Sequence, residues 1–387
     1  MEFIPRFFRP PERGSFFLFG PRGTGKSLWA QTTLPTALRL DLLDPETARS
    51  YGARPERLAE LVAAHPDVRQ IVIDEIQKLP ELLPVVHRLI EQRRDLQFVL
   101  TASSARKLKR AGVDLLGGRA VERTLHPYMA AELGRRFRVE TALQHGLVPL
   151  VYGSPDPADV LRGYAALYLR EEVQLEGLVR NVGAFSRFLE AVSFSHAAPL
   201  NVAAVSRECE VERKTVEGYV EILEDLLLAF RVPVFSRRAR RALAAHPKLY
   251  LFDAGVFRTL RPSGPLDRPQ EIEGAALEGL VAQHLRAWIA YRRDQHQLYF
   301  WRTRAGVEAD LVLYGATGLW AVEVKNAGRV RPEDVRGLEA FAADYPQARC
   351  LLVYRGRETL KRGKVLCAPV EKFLGSLRPQ EEISGTA

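Results

Sequence analysis

The chain opens with short apolar runs separated by amphipathic stretches. Phe16 to Phe19 is an unbroken apolar run ahead of a glycine-rich turn, and Ser27 to Thr33 takes up a helical period. Further strands are predicted at Leu38 to Leu42, Gln70 to Ile73 and Gln97 to Leu100, with helices such as Arg57 to Ala64 and Pro84 to Arg93 between them. Strand–helix alternation sustained over about 130 residues predicts a parallel sheet covered by helices.

After Pro127 the pattern changes. Residues 155–230 follow a helical period, as in Val216, Tyr219, Val220, Leu223, Leu226 and Leu227. From Glu271 a long amphipathic helix is predicted to about Tyr291, then short strands at Leu298 to Trp301, Glu308 to Leu313, Leu319 to Val324 and Ala348 to Val353. Gly146 to Asp156 and the Pro/Gly-rich Arg261 to Gln270 read as boundaries. The expected domains are therefore 1–150, 151–265 and 266–375, with a disordered tail over 376–387.

Composition adjusts this picture little. With 387 residues, 47% hydrophobic and 27% charged, the chain is an ordinary folded protein of more than one core. The net charge of +9 is mostly arginine, which suits a polyanionic partner and is equally what a GC-rich genome produces. Three dispersed cysteines, Cys209, Cys350 and Cys367, suggest neither a disulfide framework nor a zinc site and fit a reducing cytoplasm. With no signal-peptide core and no apolar run of about 18 residues, a cytoplasmic protein off the membrane is expected.

Gly20-Pro21-Arg22-Gly23-Thr24-Gly25-Lys26-Ser27 satisfies the phosphate-loop pattern and lies between a predicted strand and helix, the context the pattern requires. Glycines let backbone N–H groups turn toward phosphates, Lys26 would reach the β- and γ-phosphates of ATP, and Ser27 would ligate Mg2+. Ile71-Val72-Ile73-Asp74-Glu75 is an apolar strand ending in two acids at the carboxyl edge of the sheet. Asp74 would hold the magnesium through water, and Glu75 would act as general base.

An extra strand between these two motifs, and another ending at Thr101-Ala102-Ser103-Ser104, give an order that resembles the AAA+ branch of P-loop ATPases. That resemblance puts Thr101 at a γ-phosphate-sensing position, with helix capping as its alternative. It makes Arg119, after Leu115-Leu116-Gly117-Gly118, a candidate arginine finger acting on a neighbouring subunit, with a surface salt bridge as its alternative. Homo-oligomeric assembly, a hexamer included, is implied.

The chain further resembles the prokaryotic ATPases that fuse an AAA+ domain to a DUF4143 domain. The matching stretches are Leu115 to Arg119 with Leu125-His126-Pro127, Lys248-Leu249-Tyr250-Leu251-Phe252-Asp253-Ala254-Gly255, Glu308-Ala309-Asp310-Leu311-Val312, and Val322-Glu323-Val324-Lys325. The P-loop departs from that family's common arginine-rich form by reading Pro-Arg-Gly-Thr. The fold class expected is α/β: an AAA+ parallel-sheet domain, a helical and winged-helix domain, and a C-terminal α/β restriction-endonuclease-like domain.

Residues 201–223 read as helix, turn and helix, with Arg213, Lys214 and Thr215 ahead of an apolar face. A strand at Arg231 to Phe235, then Arg237, Arg238, Arg240 and Arg241, then a strand at Lys248 to Phe252, resemble a winged helix with a basic wing. Those arginines and Arg213 and Lys214 are candidate DNA contacts; a solvated hairpin tip or a packing surface is the alternative. Glu278, Asp310, Glu323 and Lys325 resemble the PD-(D/E)xK nuclease core, in which two carboxylates bind a metal and the lysine positions water. An active nuclease, a DNA-binding platform and a structural module all remain open. The reading is an ATPase that binds or remodels DNA, branched or four-way junctions included. The alternatives are an ATP-regulated metal-dependent nuclease and a switch with protein partners and no DNA role.

Overall fold

The structure is a computed structural model that describes residues 3–104, 108, 116–165, 181–237 and 246–383. It divides into two compact units. The first comprises Phe8–His126 with Asp225–Leu228, and the second holds the remainder.

The first unit is built on five parallel strands: β1 (Ser15–Phe19), β2 (Leu38–Asp41), β3 (Gln70–Asp74), β4 (Gln97–Ala102) and β5 (Ala120–Thr124), in the order β2-β3-β4-β1-β5. Their connections include helices α1 (Lys26–Thr33), α2 (Pro45–Ala53), α3 (Arg57–Ala64) and α4 (Leu83–Gln92). After Ser15, β1 is apolar because both its faces are covered. Phe17 and Phe19 join Ile71, Ile73, Phe98 and Leu100 in one core with Leu58, Val62, Leu82 and Val86 from the helices. Phe16, pointing the other way, meets Trp29 of α1, whose ring packs edge-on against Phe8 at 4.8 Å. β4 runs two residues beyond its expected end, so Thr101 lies inside the strand rather than capping a helix.

The second unit carries α5 (Val139–His145), α6 (Val182–Ser193), α7 (Val202–Cys209) and α8 (Arg213–Asp225). Glu210, at φ +56°, turns the chain between α7 and α8. Val216, Tyr219, Val220 and Leu223 are buried, and Tyr219 meets Phe185 and Phe188 of α6 at 5.2 Å each. A small antiparallel sheet follows, β6 (Ala198–Pro199), β7 (Ala229–Val232) and β8 (Lys248–Leu251), ordered β6-β8-β7.

Beyond α9 (Ala254–Leu260) and α10 (Pro269–Arg292) lies a six-stranded mixed sheet. Its strands are β9 (Gln297–Arg302), β10 (Glu308–Gly315), β11 (Gly318–Lys325), β12 (Arg349–Tyr354), β13 (Leu360–Arg362) and β14 (Val365–Pro369), ordered β13-β14-β12-β11-β10-β9. Helix α11 (Arg336–Asp344) packs on the sheet, and α12 (Val370–Ser376) closes the chain's regular structure.

Three expectations need correction. α10 is not amphipathic over its middle: Gly279 to Leu285 are all buried, so that stretch is enclosed all round. The tail expected to be disordered is tied down through Ile383. Leu377 and Ile383 are buried, Trp288 Nε1 donates to the Arg378 carbonyl at 3.0 Å, and Arg292 donates to the Glu381 carbonyl at 2.8 Å. Residues 384–387 lie outside the described residues.

The third concerns the strand expected to run to Phe235, which ends at Val232, before Pro233, a residue with no N–H to donate. Phe235 instead donates to the Phe300 carbonyl at 2.7 Å, and Phe300 donates back to Pro233 at 3.0 Å. Its ring is buried among Tyr299, Tyr314, Phe341 and Tyr345. The start of the expected basic wing is thus packed onto the C-terminal sheet. Arg237 lies 4.7 Å over the Tyr314 ring, while Arg238, Arg240 and Arg241 lie outside the described residues.

Candidate functional site

The loop from Gly20 to Ser27 lies at the carboxyl end of β1, between β4 and β5. Gly23 and Gly25 have φ of +80° and +84°, where a side chain would strain the backbone. At Gly20 the constraint is space: a Cβ would stand 2.6 Å from the Leu125 carbonyl oxygen, and Leu125 N–H is itself held by Phe19 O at 2.7 Å. Thr24 Oγ1 pins the loop by donating to Pro21 O at 2.7 Å. Gly25, capping α1, offers no side-chain acceptor to the first-turn N–H groups, which suits an anion there. Arg22 and Ser27 are exposed. Lys26 is buried, its ammonium donating to Gly20 O at 2.7 Å and standing 4.0 Å from Glu75 Oε1.

Asp74 ends β3 beside this loop, and Glu75 follows it. Thr101 binds them together: its hydroxyl donates to Asp74 Oδ1 and accepts from the Glu75 N–H at 3.0 Å. Glu75 sits at φ +58°, a conformation unusual for a residue with a side chain, and its carboxylate accepts from Gln77 and, at 3.2 Å, from Ser103 Oγ. Gln77 also donates to Ser103 Oγ at 2.8 Å. Gln77 and the tie from Ser103 to Glu75 were not visible in the sequence, because the bond spans two strands. This donor set fits a nucleoside triphosphate with magnesium, which needs only one or two carboxylates beside the phosphates. Arg119, the finger candidate, is an exposed residue paired with Glu91 within the chain.

In the second unit the four nuclease-like residues converge around a further charged side chain, Lys248. Lys248 is 1% exposed; its ammonium sits 2.9 Å from Glu278 Oε1 and 3.4 Å from Asp310 Oδ1, where it supplies the positive charge a metal would bring. Tyr250 donates to Glu278 at 2.6 Å. A register shift in β10 between Ala309 and Val312 brackets Asp310, whose Oδ2 accepts the Val324 N–H at 2.9 Å. Lys325 pairs with Glu323 at 2.5 Å. Among the described residues no group of three or more His, Cys, Asp or Glu side chains is placed to hold a metal ion.

Three carboxyls facing two ammoniums leave one negative charge over, and burial makes a proton the cheapest remedy. Burial, then Asp310, pushes Glu278 up to about 7 despite Lys248, and burial likewise raises Glu323 well above the usual range. Lys248 and Tyr250 were missed in the sequence. A lysine opening an otherwise apolar strand was the available signal, since a buried ammonium demands carboxylates.

The stretch from Phe252 to Gly255 has a structural job. Asp253 caps α9 by accepting from Gly255 and Val256 N–H at 2.9 and 3.2 Å, and it accepts from Leu147 N–H at 2.7 Å. Burial pushes its carboxyl up to about 6 against the pull of those donors. Of the DNA-contact candidates, Arg213 and Lys214 are exposed in the first turn of α8.

Residues 12–134 match the AAA domain family, 136–267 a domain of unknown function (DUF8612), and 273–373 a domain of unknown function (DUF4143). Uncharacterized proteins of Mycobacterium tuberculosis and Mycobacterium bovis are each 25% identical over 368 residues, covering 92% of this chain and 80% of their own. Domain III of the Thermotoga maritima replication initiation protein DnaA is 15% identical with a TM-score of 0.25, covering 44% of this chain and 81% of its own. Similarity that low leaves the argument to this chain's own residues. Among the described residues no helix is long and apolar enough to cross a membrane.

Proposed function

We propose that this chain, which carries an N-terminal AAA domain and a C-terminal DUF4143 domain, hydrolyses ATP at the P-loop and applies the cycle to DNA. The observation that carries the reading is the Thr101 hydroxyl, which joins Asp74 and Glu75 into one rigid group beside the buried Lys26. Lys26 would neutralise phosphate charge, and Asp74 would hold the magnesium's water. Glu75, oriented by Ser103 and Gln77 through one carboxylate oxygen, would take a proton at the other, Oε1. Bound magnesium would supply positive charge to the phosphates. Arg119 would exchange Glu91 for a neighbour's phosphate on assembly; unchanged turnover in Arg119→Ala would remove it from this role.

The DNA part rests on α7 and α8, whose exposed Arg213 and Lys214 stand ahead of a buried apolar face, and on the chain's arginine excess. The test is steady-state ATPase across single-stranded, duplex, forked and four-way DNA at several salt concentrations. Stimulation that weakens with salt is expected. Rates indifferent to every nucleic acid, with no salt-dependent binding, would refute it and leave the switch with protein partners. The metal-dependent nuclease is the weaker reading because Lys248 already compensates Glu278 and Asp310.

A further inference from the structure

In the second unit, edge strands β7 and β9 meet through the bridge from Val234 to Phe300, and the residues short of that bridge line a cavity of about 500 Å³ over α10. That volume is within the range of small-molecule sites. Its wall is largely apolar, with Val232, Pro233, Ile289 and Leu298, and it contains one uncommitted cation.

That cation is Arg286. Its guanidinium lies 4.4 Å over the Phe230 ring, which also stacks with Tyr250, and among the described residues it has neither a hydrogen bond nor an ion pair. Glu224, also on the wall, attracts Arg286 electrostatically, but its oxygens are bonded by Arg231 at 3.0 and 2.5 Å. The His296 ring, also on the wall, is engaged by Asp294 and by Thr317 at 2.8 Å. Burial lowers Arg286 to about 10, which leaves it charged at neutral pH. A guanidinium fork held largely among apolar groups, with no carboxylate bonded to it, is well suited to take one from outside.

We propose that this cavity binds a small organic carboxylate, with its carboxyl on Arg286 and its apolar body against Val232, Pro233 and Leu298. The test is isothermal titration of the full chain with 4-phenylbutyrate, its neutral amide and inorganic phosphate. Saturable binding of the carboxylate is expected, with about tenfold or greater loss for the amide, for phosphate and for Arg286→Met. Circular dichroism checks that Arg286→Met is folded, and Leu298→Trp, which fills the cavity and keeps the arginine, should abolish binding too. Equal binding of the amide or of phosphate, binding unchanged in either variant, or no saturable binding at millimolar concentration would overturn the proposal.

Discussion

Thr101→Val removes one hydroxyl and nearly conserves shape at a position that is 0% exposed. Two bonds go with it. Asp74 loses a donor, a charge-assisted bond of about 1.5–3 kcal/mol, and the Glu75 N–H is left without its acceptor, at about 1–3 kcal/mol. Allowing for water reaching the partly buried acids, the expected loss is about 2–4 kcal/mol in this unit. The catalytic consequence is larger in kind. Glu75 at φ +58° carries strain on the order of 1 kcal/mol, and the Thr101 bond helps to hold it there. Released, its carboxylate leaves the phosphate loop, so turnover should fall at least about tenfold while ATP affinity, set by the loop and Lys26, stays near wild type. Urea denaturation with and without nucleotide gives the first quantity; phosphate release and equilibrium nucleotide binding give the others. Thr101→Ser keeps the hydroxyl and should stay close to wild type. A Thr101→Val protein with unchanged urea midpoint and turnover, or a serine variant as impaired as the valine, would refute the argument.

Lys26→Ala should lose nucleotide binding, whereas Glu75→Gln should retain ATP without releasing phosphate; filter binding and a phosphate-release assay separate the two. Lys248→Met strands Glu278 and Asp310 and should destabilise the second unit by about 3–5 kcal/mol by urea melt, with partial recovery on adding Glu278→Gln. Glu278 rises from an ordinary 4.5 to about 7, so the folded protein keeps a proton that the unfolded chain has released. Relative to Glu278→Gln, wild type should therefore lose stability as pH climbs from about 4.5 to about 7, by roughly 3 kcal/mol in all. Parallel pH profiles of urea midpoints for the two proteins would contradict this.

The P-loop, the acidic end of β3 and most strands were legible because each announces itself within a few residues. Edge strand β5 was not: Ala120 to Thr124 is a polar sequence with exposed Val121 and Glu122, so no apolar alternation marks it. β13, at three residues, was too short to show a period. Glu278, Asp310, Glu323 and Lys325 were legible as a group, but their meaning depended on Lys248, which comes from a different part of the chain. Arg286 reads in sequence as one polar position on a long helix. Only its packing beside β7 and β9 shows that, among the described residues, no carboxylate bonds it.

Leu125 has a mechanical consequence. Its carbonyl abuts Gly20 at the floor of the phosphate loop, and its N–H is fastened to β1; two residues later, at Pro127, the chain passes into the second unit. Tension applied along the backbone at that crossing would act on the nucleotide cradle through a lever two residues long. Lengthening the lever by inserting glycines after His126 would uncouple pull from cradle while leaving every residue that touches phosphate in place.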